Sequence, residues 1–293
     1  MTRAADYLRL VKFSHTIFAM PFALMSFTYA VCCGANESLS TAQWLTLLVQ
    51  VVACMVLARN VAMGFNRWAD RDIDKANPRT AGREIPAGVI SPRNALAFVI
   101  VNAMLFIVVA ATINTLTALL SPVALAVIMF YSYCKRFTAA AHLVLGLSLG
   151  IAPAGAYIAV TGELAPAPCI LSMLVMTWCA GFDIIYALQD ADFDRKNGLH
   201  SIPSHFTART ALGISIALHI ISVGTLVWFA SYLPQGWLLW TGCGLFTILL
   251  AIQHLLVTPT RQRHIGIAFG TLNGLASIVL AIFVIADLLI SSQ

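Results

Sequence analysis

Six carboxylates fall into two eight-residue segments, Asp70-Arg71-Asp72-Ile73-Asp74-Lys75-Ala76-Asn77 and Asp190-Ala191-Asp192-Phe193-Asp194-Arg195-Lys196-Asn197, which superpose at an offset of 120 residues. Both read D-x-D-φ-D-(K/R)-x-N, with φ bulky and apolar, and an Ile-Pro pair follows each, Ile85-Pro86 and Ile202-Pro203. The outer acids of each segment are four apart, one helical turn. The spacing therefore predicts Asn66, Asp70 and Asp74 on one face, and Tyr186, Asp190 and Asp194 on one face. Asp72 and Asp192 point roughly the other way. Like charges at this spacing weaken an isolated helix by roughly a few tenths of a kcal/mol, so two such pairs imply a cation between the carboxylates. Hard oxygens in facing pairs suit Mg2+, which keeps several waters and is completed by substrate phosphates. Arg71, Lys75, Arg79, Arg83, Lys135, Arg136, Arg195 and Lys196 surround these acids and are candidates for the remaining phosphate oxygens. The expected ligand is a metal-bridged diphosphate.

Arg59 lies seven residues before Asn66, on the same helical face, inside an apolar run. An intramembrane Arg costs at least about 2.5–3.5 kcal/mol and marks a functional site by default. Asp183 stands in the comparable place seven residues before Asp190. Two readings stay open for these residues. Arg59, Asn66 and Asp183 line a pocket for a small polar molecule with an anionic group, or Arg59 and Asp183 pair with each other or with neighbours as buried structural ions.

The elements that must position these groups are membrane spans. The chain has 293 residues, 60% of them hydrophobic and 10% charged, with a mean hydropathy of +0.86. No soluble domain can hide that much apolar surface. Nine runs are long enough to cross a hydrocarbon layer of roughly 30 Å as helices: 14–34, 42–65, 92–112, 116–134, 139–160, 167–189, 207–231, 236–257 and 265–290. With the N-terminus in the cytoplasm and the whole 59–93 region counted inside, all 17 Lys and Arg fall on the cytoplasmic side and none in the outer connections or the C-terminal tail. That division follows the positive-inside rule and assigns the net charge of +5 to topology, which argues against nucleic-acid binding. Trp68, Trp228, Trp237 and Trp240 fall near span ends, whereas Trp178 falls midway along 167–189. The expected fold is an all-α membrane protein of nine transmembrane helices, residues 1–293 forming a single polytopic domain with its two Asp-rich loops on the cytoplasmic side. The first span reads as retained rather than as a cleaved signal. The seven cysteines show no metal-ligand spacing and read as packing residues. His15, His142, His219 and His254 read as packed or hydrogen-bonded, whereas His200 and His205 flank the second acidic segment and are candidates to touch the diphosphate.

At N66-RWA-D70-RDI-D74 and Y186-ALQ-D190-ADF-D194 the chain resembles the UbiA superfamily of intramembrane prenyltransferases, whose pattern is N-x-x-x-D-x-x-x-D after the second span and Y-x-x-x-D-x-x-x-D after the sixth. The segments NPRTAGREIPAG (77–88), YSYCKRFT (131–138) and KNGLHSIPSHF (196–206) are similar to the 4-hydroxybenzoate polyprenyltransferase branch. Many members carry Asp directly after the motif Asn; here that residue is Arg67, with Asp72 as a candidate replacement. The resemblance implies a nine-helix bundle around a central cavity capped by the two Asp-rich loops, Mg2+ bridging a polyprenyl diphosphate to Asp70, Asp74, Asp190 and Asp194, an apolar tunnel for the isoprenoid tail, and transfer through an allylic carbocation steadied by Tyr131 and Tyr186. Arg59 is the candidate for the acceptor's carboxylate, Asn66 for its hydroxyl or the diphosphate, and Lys12 for a helping role. The acceptor favoured is 4-hydroxybenzoate on the route to ubiquinone; a dihydroxynaphthoate on a menaquinone route is the alternative. A secondary transporter is the rival from another class, since such proteins also carry internal repeats and intramembrane charges. The acidic clusters lie at one membrane face in both repeats, which fits a phosphate-bearing substrate better than alternating access.

Overall fold

The computed structural model of the protein describes residues 4–11, 18–33 and 39–291. Among these residues, eight helices are long and apolar enough to cross a membrane, and α2 (Met20–Cys33) is a shorter apolar helix. In chain order they follow a short α1 (Ala4–Leu10): α2, α3 (Thr41–Ala69), α5 (Pro92–Ala111), α6 (Thr115–Cys134), α7 (Ala141–Thr161), α8 (Pro166–Ala187), α11 (Ala208–Ala230), α12 (Trp237–Leu256) and α13 (Asn273–Ser291). Three short helices, α4 (Arg71–Ala76), α9 (Ala191–Lys196) and α10 (Ile202–His205), belong to the loops after α3 and α8. The nine apolar segments expected from sequence are all present, with ends shifted by a few residues. The main shift is in α3, which runs through Asn66 to Ala69, so the first acidic motif begins within the spanning helix rather than in a loop.

The helix starts are set locally. Ser91 caps α5 by accepting from Asn94 N at 3.2 Å, with Pro92 in the first turn. Asn114 caps α6 by accepting from Thr117 N at 2.8 Å, while its Nδ2 donates to Ile158 O at 2.8 Å, tying the start of α6 to the end of α7. Each such cap satisfies backbone groups that a helix end leaves unpaired.

α8 is buried on nearly every side and forms the centre of the bundle, as a helix hydrophobic all round should. α7 packs antiparallel to it through Gly146 and Gly150, one turn apart. A Cβ at Gly146 would stand 2.1 Å from Met176 O, and one at Gly150 would stand 2.7 Å from Ser172 O. Small residues four apart let membrane helices bring their backbones together. His142 lies one turn further along the same face of α7, so the close approach also sets how His142 meets α8. Gly146→Leu is expected to destabilise the protein by about 2 kcal/mol or more, because overpacking against backbone leaves no side chain to yield. A lowered melting temperature in detergent checks this; an unchanged one would mean that the helices can separate freely.

On the far side of α8, Trp178 Nε1 donates to Asn273 Oδ1 at 3.0 Å, and Asn273 Nδ2 donates to Gln253 Oε1 at 3.1 Å and to Ala268 O at 2.8 Å. Gln253 and His254 both bond to His219, at 3.1 and 2.7 Å. Asn273 thereby satisfies a carbonyl of the π-helical turn Ile267–Leu272, whose widened ladder leaves backbone groups needing partners. That turn carries Phe269 to the edge of the central cavity.

Candidate functional site

A cavity of about 360 Å³ runs through the half of the bundle made by α3, α6, α7 and the end of α8. Its lining on the α3 side extends from Val51 to Asp70, roughly 28 Å of helix rise. One end is capped by the two acidic loops; the other is apolar, with Val51, Met55, Ile113, Ile151 and Ala156 among its walls.

Both motifs bend at their first acid. Asp70 ends α3 and starts α4 with φ −95° and ψ 10°; Asp190 ends a single 3-10 turn and starts α9 with φ −107° and ψ 0°. The repeat seen in sequence is thus repeated in backbone. The bend does not separate the acids, since Asp74 N still donates to Asp70 O at 2.7 Å. All four outer carboxylates, Asp70, Asp74, Asp190 and Asp194, line the cavity.

Each carboxylate has basic or amide partners. Asn66 Nδ2 donates to Asp70 Oδ2 at 3.1 Å, and Arg136 Nη2 reaches Oδ1 at 3.3 Å. Burial pushes the Asp70 carboxyl above its ordinary range; Arg136 opposes the rise and Asp74 adds to it. Arg83 Nη1 donates to Asp74 Oδ1 at 2.6 Å. Arg67 Nη1 stands 3.9 Å from Asp74 Oδ2, an oxygen buried without a hydrogen-bond partner among the described residues. Arg79 grips Asp190 with both prongs of its fork, Nε to Oδ1 at 2.8 Å and Nη2 to Oδ2, and Asn77 Nδ2 adds a bond to Oδ1 at 3.0 Å. Burial alone would lower the Arg79 guanidinium, but the bond to Asp190 holds it above its ordinary value. Ser201 Oγ donates to Asp194 Oδ2 at 2.9 Å, with Lys135 Nζ 3.7 Å from the same oxygen. The segment following the first motif therefore reaches across to the second, and the two loops close as one cap.

Below the cap lie Arg59, Arg67, Tyr131, Asp183 and Tyr186. Arg59 makes no ion pair among the described residues, and its Nε is buried without a partner. It does not pair with Asp183, whose Oδ2 is held by His142 Nδ1 at 2.7 Å. Tyr186 accepts from Arg79 Nη1 at 2.9 Å, with the guanidinium carbon 5.3 Å from its ring and Phe269 at a 4.2 Å ring separation.

Several residues singled out from sequence stand elsewhere. Asp72 and Asp192 are 84% and 89% exposed in their side chains and pair outward with Arg71 at 3.6 Å and Arg195 at 3.2 Å. Asp72 therefore does not stand in for the acid that Arg67 replaces; Arg67 itself is buried in the cavity wall at 3% exposure. Arg71, Arg195 and Lys196 do not line the cavity; Arg71 and Arg195 are drawn to the outward acids Asp72 and Asp192 instead. Arg71 is held by Trp68 O at 3.0 Å, and Arg195 by Ser204 O at 3.1 Å. Arg136 does not line the cavity but bonds to Ala69 O at 2.7 Å and to Asp70 Oδ1. His200 and His205 meet each other at 3.1 Å outside the cavity. Lys12 and His15 lie outside the described residues. Asn77, Thr80, Ser201 and His142 were not singled out as site residues. Asn77 had a signal, as the last position of the repeated octad, although its counterpart Asn197 stays exposed and bonds within its own loop, to Phe193 O at 2.8 Å.

Carboxylates, guanidiniums and an ammonium at one end of an apolar cavity can hold a diphosphate while its hydrocarbon chain lies in the other end. Comparison with known proteins points the same way. The profile of the UbiA prenyltransferase family matches residues 19–285. A protein named 4-hydroxybenzoate octaprenyltransferase from Pseudomonas fluorescens is 32% identical over 244 residues, 83% of this chain and 79% of that protein. One of the same name from Photobacterium profundum is 33% identical over 201 residues, 69% of this chain and 68% of that one. Among solved structures, the apo structure of a UbiA homolog from Aeropyrum pernix K1 superposes with a TM-score of 0.78 at 28% identity, covering 95% of this chain and 98% of that one. A UbiA homolog from Archaeoglobus fulgidus bound to DMAPP and Mg2+ shares the fold, with a TM-score of 0.75 at 20% identity over 97% of this chain and 99% of that one.

Proposed function

Because the chain belongs to the UbiA prenyltransferase family, it is a membrane-embedded polyprenyltransferase, and we propose that it moves a polyprenyl group from its diphosphate to the ring of 4-hydroxybenzoate. Membership of a transferase family replaces the transporter alternative. One observation carries the assignment of substrates to places: a single cavity holds four carboxylates at its cap, the half-buried Arg59, without an ion pair among the described residues, in its middle and apolar walls beyond. Relatives bearing the name 4-hydroxybenzoate octaprenyltransferase support the acceptor.

The cap fits Mg2+. Its donors are hard oxygens, and Asp74 Oδ2 is buried without a hydrogen-bond partner among the described residues. Among those residues no three acidic, His or Cys side chains stand together as a cage, so the acids would act in pairs, with waters and substrate phosphate completing the shell. Asp70, Asp74, Asp190 and Asp194 would hold it, and when bound it supplies charge neutralisation as the diphosphate departs.

The chain's own groups do the rest. Arg67, Arg83 and Lys135 bind phosphate oxygens, Arg79 and Asn77 keep Asp190 aimed inward, and Arg136 and Asn66 do the same for Asp70. As the C–O bond of the prenyl diphosphate breaks, the bonding pair leaves with the diphosphate and an allylic cation remains. Tyr131 is the better-placed face for that cation, since the Tyr186 ring is already engaged by Arg79 and Phe269. Arg59 holds the acceptor's carboxylate, so the ring carbon beside the hydroxyl faces the cation, attacks it and then loses its proton. Placement within the bilayer keeps out water, which would otherwise trap the cation as a prenol.

The cap loops face the cytoplasm in this proposal, in a bacterial inner membrane, with residues 1–293 as one domain; the confinement of all 17 Lys and Arg to one side supports that orientation. Purified protein given a labelled polyprenyl diphosphate, with 4-hydroxybenzoate and dihydroxynaphthoates offered in parallel, is expected to prenylate 4-hydroxybenzoate in Mg2+ and to stop in EDTA. Product from a dihydroxynaphthoate instead would move the chain to a menaquinone route. Turnover unaffected by EDTA would remove the metal from the cap.

A further inference from the structure

The geometry points to Asp183 as the base that takes the ring proton in the transfer step, with His142 as the residue that positions it. This rests on the aromatic-transfer function proposed above and names the proton acceptor that it leaves open.

His142 is fully buried on α7 and bridges two elements. Its Nε2 accepts from Ile202 N at 3.2 Å, so that nitrogen carries no proton and the ring is the Nδ1–H tautomer. Nδ1–H therefore donates to Asp183 Oδ2 at 2.7 Å. Asp183 thus takes one hydrogen bond, from His142, in a water-poor place. Asp183 lines the cavity, whereas His142 stands behind it. Oδ1 has no hydrogen-bond partner among the described residues, so half of the carboxylate's accepting capacity is unspent. Buried carboxylates are normally saturated with donors. One left half-free beside a cavity where a cation forms has the character of a base rather than of a structural ion.

Depth agrees with that role. Asp183 is seven residues before Asp190, roughly 10 Å of helix beneath the cap, and Arg59 is eleven before Asp70, roughly 16 Å. An acceptor whose carboxylate meets Arg59 therefore presents its reacting edge nearer the level of Asp183, beneath the diphosphate. In the step itself, the ring carbon bonds to C1 of the allylic cation and becomes tetrahedral. Its C–H pair then returns to the ring, and the proton passes to Asp183 Oδ1, which later gives it to solvent as product leaves. His142 keeps its own proton throughout and holds Asp183 in one rotamer. The close approach of α7 to α8 at Gly146 and Gly150 fixes this contact.

The test uses the full-length protein in detergent with Mg2+, geranyl diphosphate, and 4-hydroxybenzoate carrying either hydrogen or deuterium at the carbons beside its hydroxyl. Wild type is expected to turn over both isotopologues at the same rate, with ionisation limiting. Asp183→Asn is expected to be about 10²-fold slower, to bind geranyl diphosphate as wild type does, and to show an H/D rate ratio clearly above one, because proton loss has become limiting. His142→Gln should show a smaller loss with the same isotope signature. An Asp183→Asn enzyme as fast as wild type would hand the proton to diphosphate or water and overturn the proposal. A slow one with equal isotope rates would also overturn it, placing Asp183 before proton transfer. No aryl product from wild type overturns the transfer function itself, and this assignment with it.

Discussion

Asp190→Ala is expected to lower kcat/KM by at least about 10³-fold, the scale of losing a group that acts on developing charge, while the protein still folds and inserts. Asp190 is where the two halves of the cap meet, because Arg79 and Asn77 of the first loop both bond to it. The substitution removes a proposed metal oxygen and also the anchor that holds the first loop over the cavity. Breaking a fully buried ion pair costs about 3–5 kcal/mol. Here the loss of stability should be well below that, since the Arg79 side chain is 32% exposed and can turn to water. Product formation at saturating Mg2+, read beside a melting curve, separates the two effects. Asp70→Ala, Asp74→Ala and Asp194→Ala should behave alike, whereas Asp72→Asn should change little, because that side chain faces solvent. Near-normal activity in the double variant Asp70→Ala/Asp190→Ala would remove the carboxylates from the diphosphate site.

The contrast between Asp72 and Asp190 shows what spacing alone carries. At Asp70 the four-residue interval survives the bend because one backbone hydrogen bond spans it, and in both octads the outer acids still line the cavity, so the inward acids and the outward ones were readable from the octads. The nine apolar helices were readable for a similar reason: length and apolarity are set by the bilayer, not by neighbours. What stayed hidden depends on contacts between distant segments. Asn77 and Arg79 find Asp190 more than a hundred residues away, with sequence separations of 113 and 111. His142 and Asp183 are 41 apart, and the sequence hint that α7 approaches α8 closely, Gly146-x-x-x-Gly150, says nothing about what the next turn will meet. Arg67 was visible only as a departure from the family pattern. The structure keeps it inside the cavity wall, so the first motif exchanges a carboxylate for a guanidinium rather than losing a ligand to solvent.

Arg59→Met should reduce transfer to 4-hydroxybenzoate by about 10²-fold or more, the scale of a charge-assisted bidentate contact made away from water, and should raise the melting temperature. The two signs come from one fact. Arg59 is a half-buried guanidinium with no ion pair among the described residues and with a buried, unpartnered Nε, so the empty protein bears part of its desolvation without compensation. A methionine of similar length fills the same space without that penalty, for a gain of about 1 kcal/mol or more. Binding of an anionic acceptor supplies the missing partner, and the gain from pairing there is available only to a molecule that carries a carboxylate. Phenol, which lacks the carboxylate, should therefore be used as poorly by wild type as by Arg59→Met. Equal losses on both acceptors would take Arg59 out of the acceptor pocket. A lowered melting temperature would give it a structural partner instead, and the cavity would then need another group to hold the acid.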